Sequence, residues 1–311
     1  TFDSPVRAFD RGRSGAASTN PRDSKPAVPD TADALVAKGK ATVRQARSIE
    51  DDDRKLELQR TARATFAKAR ELLQAEHDRL QAEYDRFDKF IPKSDAARYE
   101  ARELAFRQYI QVQLNLAVLL YEEAQAWDNE ASTHKTLLTE AANAFERIHA
   151  RYRQLLSGLY ARMWQGKCLE ERGDTTKALG IYNELLEHET QNANDSLAKL
   201  QDRVRHFRLA CLRERRHDHA LVVEEAQTWL DRNPDKAPTP IGLGIQWELV
   251  CSATALADNE QTPLAERNRL VRQALSAART LHGYPGEYKA GSKAVIERLN
   301  ARLTVDPSEL R

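Results

Sequence analysis

After residue 30, apolar positions recur every third or fourth residue along almost the whole chain, the period of an α-helix with one buried face. The longest such stripe is Ala62, Phe66, Ala69, Leu73, Leu80, Tyr84, Phe87 and Ile91. It predicts a helix from Asp51 to Phe90, stopped by Pro92 and roughly 60 Å long at about 1.5 Å per residue. Ahead of it, Ala34, Ala37 and Ala41 mark a first helix ending near Ile49. The run Glu50-Asp51-Asp52-Asp53 between the two reads as the opening of the second helix, because carboxylates favour the positive end of the helix dipole. A calcium loop would need alternating ligands and a glycine. Ser94 and Asp95 offer caps for a third helix over 95–127. Further helices are predicted at 132–157, 159–172, 175–190, 195–215, 218–232, 241–257, 263–282 and 287–303, parted by short polar, Gly or Pro breaks that force antiparallel neighbours.

One segment conflicts with this pattern. Ile110, Val112, Leu114 and Leu116 alternate with Gln111, Gln113 and Asn115, which is the period of a strand. No second alternating run exists to pair with it, and its flanks are rich in helix formers. The reading is a helix buried on more than one side.

Proline supports the same picture. None falls between Lys93 and Asn233, and the chain has only 12 glycines. Residues 1–30 differ, with Pro5, Pro21, Pro26 and Pro29 among small polar residues and no apolar period, so a disordered tail or linker is expected there. A short tail is expected over 304–311. Between them we expect an all-α chain of stacked antiparallel helix pairs, with unusually long, degenerate hairpins over 31–157 and shorter repeat-like pairs over 158–303.

Residues 159–189, LYARMWQGKCLEERGDTTKALGIYNELLEHE, resemble a tetratricopeptide repeat. Gly166 stands where the first helix needs a small residue, Gly173-Asp174 makes the turn, and Ala178 and Tyr182 form the Ala-x-x-x-aromatic step of the second helix. Ala141/Phe145 and Ala62/Phe66 repeat that step, and Ala220/Glu224 begins a weaker copy closed by Asn233-Pro234. The pattern departs from the family at Arg162, Gln165, Leu169 and Thr190, and its spacing is longer than the family's period. The resemblance implies an α-solenoid whose first helices line a concave face that grips peptides or partner helices, with Gly166 packed near Ala178 and no catalytic residues.

The balance of 48 basic and 47 acidic residues, a net charge of +1, gives no reason to expect nucleic acid or an anionic membrane as partner. No apolar run approaches the roughly 20 residues of a membrane span. The chain starts at Thr1 and its single methionine is Met163, so a native start, and with it a signal or anchor, is expected to be missing. Either a cytoplasmic or an exported soluble protein fits. A homo-oligomer is left open.

Enzyme signatures are absent: no Gly-rich phosphate loop, no Cys-x-x-Cys, no His-Glu-x-x-His, no Gly-x-Ser-x-Gly. Glu146/His149 fits one half of a di-iron step but has no second half. His206, Cys211, His217, Asp218 and His219 cluster in sequence, yet His206 and Cys211 are five apart on a helix and diverge, so a polar turn is expected rather than a zinc site. Neither metal nor cofactor is expected. Three cysteines, Cys168, Cys211 and Cys251, read as free thiols in the core. The tryptophans Trp127, Trp164, Trp229 and Trp247 read as inter-helix packing. The arginines from Arg203 to Arg216 read as a solvated face broken by Asp202, Glu214 and Asp218.

The sequence thus points to a non-catalytic adaptor, or else to a structural subunit or tethered ectodomain of a larger assembly. A partner-binding surface is expected on Tyr160, Met163, Lys167 and Glu170 of one first helix and on Arg205, Leu209 and Leu212 of the next. Mixed apolar area and cations there would suit an amphipathic segment bearing a carboxylate.

Overall fold

The computed structural model describes residues 31–92, 94–189 and 196–305. The tail readings for residues 1–30 and 306–311 lie outside the described residues. Among the described residues there are eleven α-helices and no strand. They group into two compact units that divide between Asp174 and Thr175.

The N-terminal unit holds α1 (Ala32–Arg47), α2 (Asp52–Asp85), α3 (Ala96–Ala124), α4 (Ser132–Tyr152) and α5 (Leu156–Arg172). Each packs on the next, and α3 also touches α5. The helix starts follow from their caps. Thr31 accepts from the Ala34 N–H at 3.2 Å and Asp51 from the Arg54 N–H at 2.7 Å, so the acidic run opens α2 as the sequence suggests. Asp95 caps α3 in the same way. The core joins Leu35 and Val43 of α1 to Phe66, Ala69 and Leu73 of α2 and to Tyr109, Val112 and Leu119 of α3. At the α1–α2 crossing Gly39 lies against the Phe66 ring.

Several helix ends fall short of the predicted ones, among them α3 at Ala124, α4 at Tyr152 and, further along the chain, the helices that end at Leu186 and Cys211. Helix α2 ends at Asp85, before the expected Phe90. Its last turn has no basic residue and carries Glu83 and Asp85 against the negative helix end, while Ile91 turns into the interior. Helix α5 starts at Leu156 because the chain reverses over Arg153–Leu155, with the Leu155 N–H donating to the Tyr152 carbonyl at 2.8 Å. Gly158 allows this, since a Cβ there would lie 2.1 Å from that carbonyl oxygen. At the other end of α5, Gly173 takes φ 100° and the Asp174 N–H reaches back to the Leu169 carbonyl, a left-handed cap that only glycine adopts cheaply. The alternating segment is helical, with Ile110, Val112 and Leu114 buried on different sides of α3.

The C-terminal unit holds α6 (Thr175–Leu186), α7 (Ser196–Cys211), α8 (His219–Arg232), α9 (Pro240–Asp258), α10 (Leu264–His282) and α11 (Tyr288–Val305). Here too α7 touches α9, and α9 touches α11, so the first helices of successive pairs stack. Thr239 and Pro240 start α9 as cap and first-turn proline. Its core gathers Leu209, Leu212, Val222, Ala226, Trp229, Ile245, Leu249 and Leu270. Between α7 and α8 the chain forms one π-turn, Leu212–Arg216, closed by His217 in the left-handed region at φ 54°. That turn lets Leu212 stay buried while Arg213 donates to Glu248 of α9 at 2.5 and 3.3 Å.

The three full Ala-x-x-x-aromatic steps share one environment. Ala62/Phe66, Ala141/Phe145 and Ala178/Tyr182 are all 0% exposed. The fourth step falls elsewhere than the sequence suggests. Because α8 begins at His219, Ala220 and Glu224 lie on its exposed side, and Val222 and Ala226 take the buried positions. Gly166 and Ala178 are each buried, one on either side of the unit division.

Candidate functional site

Helix α7 carries two stripes. Leu200, Val204, Phe207 and Cys211 are buried and hold it in the unit. The stripe Ala198, Gln201, Asp202, Arg205 and Arg208 faces a cleft of about 780 Å³ that opens between α6 and α8. Spacing of three and four residues puts this set, polar apart from Ala198, on one side of the helix. Asn183 and Leu186 of α6, with Glu187 just beyond it, form one wall, Glu224, Glu225 and Trp229 of α8 the other, and Lys236 also lines the cleft.

The charges in the cleft are unevenly paired. Asp202 accepts from the Trp229 indole N–H at 3.1 Å and from Lys236 at 2.9 Å. Arg208 donates to the Asn183 amide oxygen at 2.7 Å and pairs with Glu225. Arg205 has only a loose approach to Asp202, at 4.0 Å, and makes no hydrogen bond among the described residues. Its side chain is about a third exposed, at 32%. Burial lowers its pKa, Asp202 and Glu225 oppose that, and the neighbouring Arg208 and Arg232 add to it. It stays protonated, because arginine starts far above neutrality. Arg232, also in the cleft, is exposed and likewise makes no hydrogen bond among the described residues.

The residues singled out in the sequence separate. On α5, Met163 is 0% and Glu170 1% exposed, so both are interior. Tyr160 is half-buried. Lys167 is half-buried and bound to Glu170 at 2.7 Å and to Glu171 at 3.5 Å. Glu171 in turn accepts from the Tyr121 hydroxyl at 2.6 Å and from Gln125 at 2.7 Å. This row therefore ties α5 to α3 within its own unit. In the second row, Leu209 and Leu212 belong to the core, and Arg205 alone opens on a cleft. That cleft lies between α6 and α8, the second helices of their pairs, where the repeat resemblance pointed to the first helices. The helical period could have shown it, because 201, 205 and 208 form one polar stripe beside the apolar stripe of 200, 204, 207 and 211. The partners Asn183, Glu225 and Lys236 come from other elements and carry no local signal.

The arginine run is not one solvated face. Arg205 and Arg208 line the cleft, whereas Arg213 turns toward Glu248. Of the His/Cys cluster, His206 and Cys211 are buried and His217 and Asp218 exposed. Among the described residues no three His, Cys, Asp or Glu side chains are placed to hold a metal ion. His149 lies 3.0 Å from the Gly158 carbonyl through Nδ1, close to the α4–α5 turn. The cysteines are free, Cys168 and Cys211 buried and Cys251 half-buried. Trp164 and Trp229 are in the core, and Arg63 lies 4.0 Å over the Trp127 ring. No described helix is long and apolar enough to cross a membrane.

The N-terminal unit has a groove of a different kind. Leu104, Phe106 and Ile110 of α3 and Leu155 and Leu156 at the α4–α5 turn line about 480 Å³. Leu104 is 51% and Leu155 39% exposed.

No family model matches the chain, and no curated protein matches it. Among solved structures it is similar to one described as a computational design of self-assembling cyclic protein homo-oligomers, at 13% identity, over 88% of this chain and 94% of that one. The TM-score is 0.22, and a likeness at that level carries no argument.

Proposed function

We propose that the chain is a non-catalytic protein-interaction scaffold that holds a peptide or helix of a partner in the cleft between α6 and α8. The observation that carries this reading is the cleft itself, about 780 Å³ and walled by three helices, in which Arg205 and Arg232 have no hydrogen-bond partner among the described residues. A guanidinium held half out of water without an acceptor is poised for one on a ligand. The tetratricopeptide-like pattern supports the same class of function. The test is selection of binding peptides from a display library on the full chain. Peptides that bind the wild type and lose binding to Thr228→Trp, a substitution on the cleft wall, support the reading. Peptides indifferent to that change would place the site elsewhere.

A second reading, a fixed subunit of a larger assembly, draws on the N-terminal groove and on Phe90, which is 80% exposed. Exposed apolar area of this kind suits a standing contact. Capture at endogenous level followed by native mass measurement separates the two. A constant stoichiometric complex that Leu104→Glu breaks favours assembly, and exchangeable partners that Arg205→Gln releases favour the scaffold.

A further inference from the structure

We infer that the α6–α8 cleft recognises its partner segment through a single oxyanion group, a carboxylate or a phosphate monoester, held between the guanidinium groups of Arg205 and Arg232. This rests on the reading of the cleft as a peptide site.

The argument is one of pairing. Four cations line the cleft: Arg205, Arg208, Arg232 and Lys236. Two of them are neutralised inside the protein, Lys236 by Asp202 at 2.9 Å and Arg208 by Glu225. Those contacts occupy Asp202 and Glu225, and Asp202 further accepts from the Trp229 indole. Arg205 keeps only the loose 4.0 Å approach to Asp202, and Arg232 lines the same cleft without an ion pair among the described residues. Two cations in one cleft that lack a hydrogen-bonded carboxylate are a cost to the free protein, relieved when an oxyanion sits between them. A guanidinium fork suits that role, because it matches the oxygens of a carboxylate or phosphate in pairs. The bonds gain strength at Arg205, whose partial burial lowers the local dielectric.

The other charges set the context. Glu187, just after α6, and Glu224 on α8 are exposed and line the same cleft. They would repel a continuous phosphate backbone but tolerate one isolated anion, and they favour a basic residue beside it on the segment. The inferred ligand is therefore a protein segment with one acidic or phosphorylated residue flanked by Lys or Arg, not a nucleic acid.

The experiment uses the full chain and inorganic phosphate and acetate as probes. The side-chain Nε–Hε signals of Arg205 and Arg232, assigned with Arg205→Lys and Arg232→Lys, are followed by NMR at low ionic strength. Both signals are expected to move saturably, and in Arg205→Gln the Arg232 shift should fall. Phosphate and acetate that leave both signals in place overturn the inference. Peptides selected on the cleft are then compared with Ala, Glu or phosphoserine at their acidic position. Loss of the anion should weaken binding about tenfold or more, as should Arg205→Gln or Arg232→Gln at unchanged helicity. Whether Glu or phosphoserine binds tighter names the natural source of the oxyanion. Cleft-binding peptides with no acidic position would overturn the inference and leave the scaffold reading standing. Saturable phosphate shifts without any selected peptide would support the anion site but sink the scaffold reading and, with it, the protein-segment assignment. A single-stranded oligonucleotide that binds the cleft more tightly than the acidic peptides would overturn the protein-segment assignment.

Discussion

The same substitution should act in opposite directions at Gly39 and Gly180. Both glycines lie inside helices, α1 and α6, where alanine is intrinsically better by about 1 kcal/mol. At Gly39 a new Cβ would lie 2.4, 2.7 and 2.7 Å from three carbons of the Phe66 ring. Carbon atoms rest about 3.5–4.0 Å apart, so the methyl needs roughly 1 Å of relief. Phe66 cannot supply it, being 0% exposed and wedged among Leu35, Ala62 and Ala69. Overpacking of this kind costs about 1–3 kcal/mol. Taking the upper part of that range and offsetting about 1 for helix propensity leaves Gly39→Ala destabilised by about 1–2 kcal/mol. Gly180 is exposed and a Cβ there meets nothing within 4 Å, so Gly180→Ala should gain about 0.5–1 kcal/mol. Urea unfolding followed by far-UV circular dichroism reads both, with the two compact units fitted as separate transitions where the curve requires it. Only the N-terminal transition should move for Gly39→Ala, and only the C-terminal one for Gly180→Ala. A Gly39→Ala variant as stable as the wild type would refute the close α1–α2 approach, and a destabilised Gly180→Ala would refute the exposed helical placement of α6.

Three further outcomes are expected. Phe145→Ala should cost about 3–5 kcal/mol by calorimetry or denaturant, because the ring is fully buried and stacked 6.2 Å from Trp164. Glu248→Ala should cost about 1–3 kcal/mol, since Glu248 is 3% exposed and its loss leaves the half-buried Arg213 guanidinium with only Glu214; a near-neutral result would show that the pair is solvated. Burial pushes the Cys251 thiol up to about 11, so native alkylation at pH 8 should be slow and should rise toward pH 11, while Cys168 and Cys211 should react only on unfolding. The folded chain keeps the Cys251 proton over that window, so this group's contribution to stability falls as the pH climbs through it. Rapid labelling of Cys251 at pH 8 would contradict its placement.

The fold was legible wherever one helix face alone decides it. Asp51 and Asp95 announce helix starts by chemistry that acts within three residues, and their caps form as read. The Ala-x-x-x-aromatic steps mark buried crossings for the same reason. Legibility fails where a distant partner decides. The end of α2 depends on where Ile91 tucks in, and the start of α5 on the approach of Gly158 to Tyr152. The candidate site fared worse. Arg205 stands in the cleft, but Met163, Glu170, Leu209 and Leu212 are interior, because these helices are packed on several sides and a single apolar stripe does not say which polar residue faces out. Lys167 looked free in sequence and is tied to Glu170 and Glu171, three and four residues on along its own helix.

The π-turn at Leu212–Arg216 makes the length of this stretch meaningful. A residue advances an α-helix by about 100°, so one extra residue absorbed here leaves the cleft stripe of α7 in phase with its unit while Arg213 still meets Glu248. Excising one residue from the turn would let the helix run straight, and would then force a choice: either Arg213 swings off Glu248, or α8 rolls with its wall of the cleft. A one-residue change of length thus acts at this point as a rotation, and the alignment of α8 against Arg205 is as sensitive to the number of residues between them as to their identity.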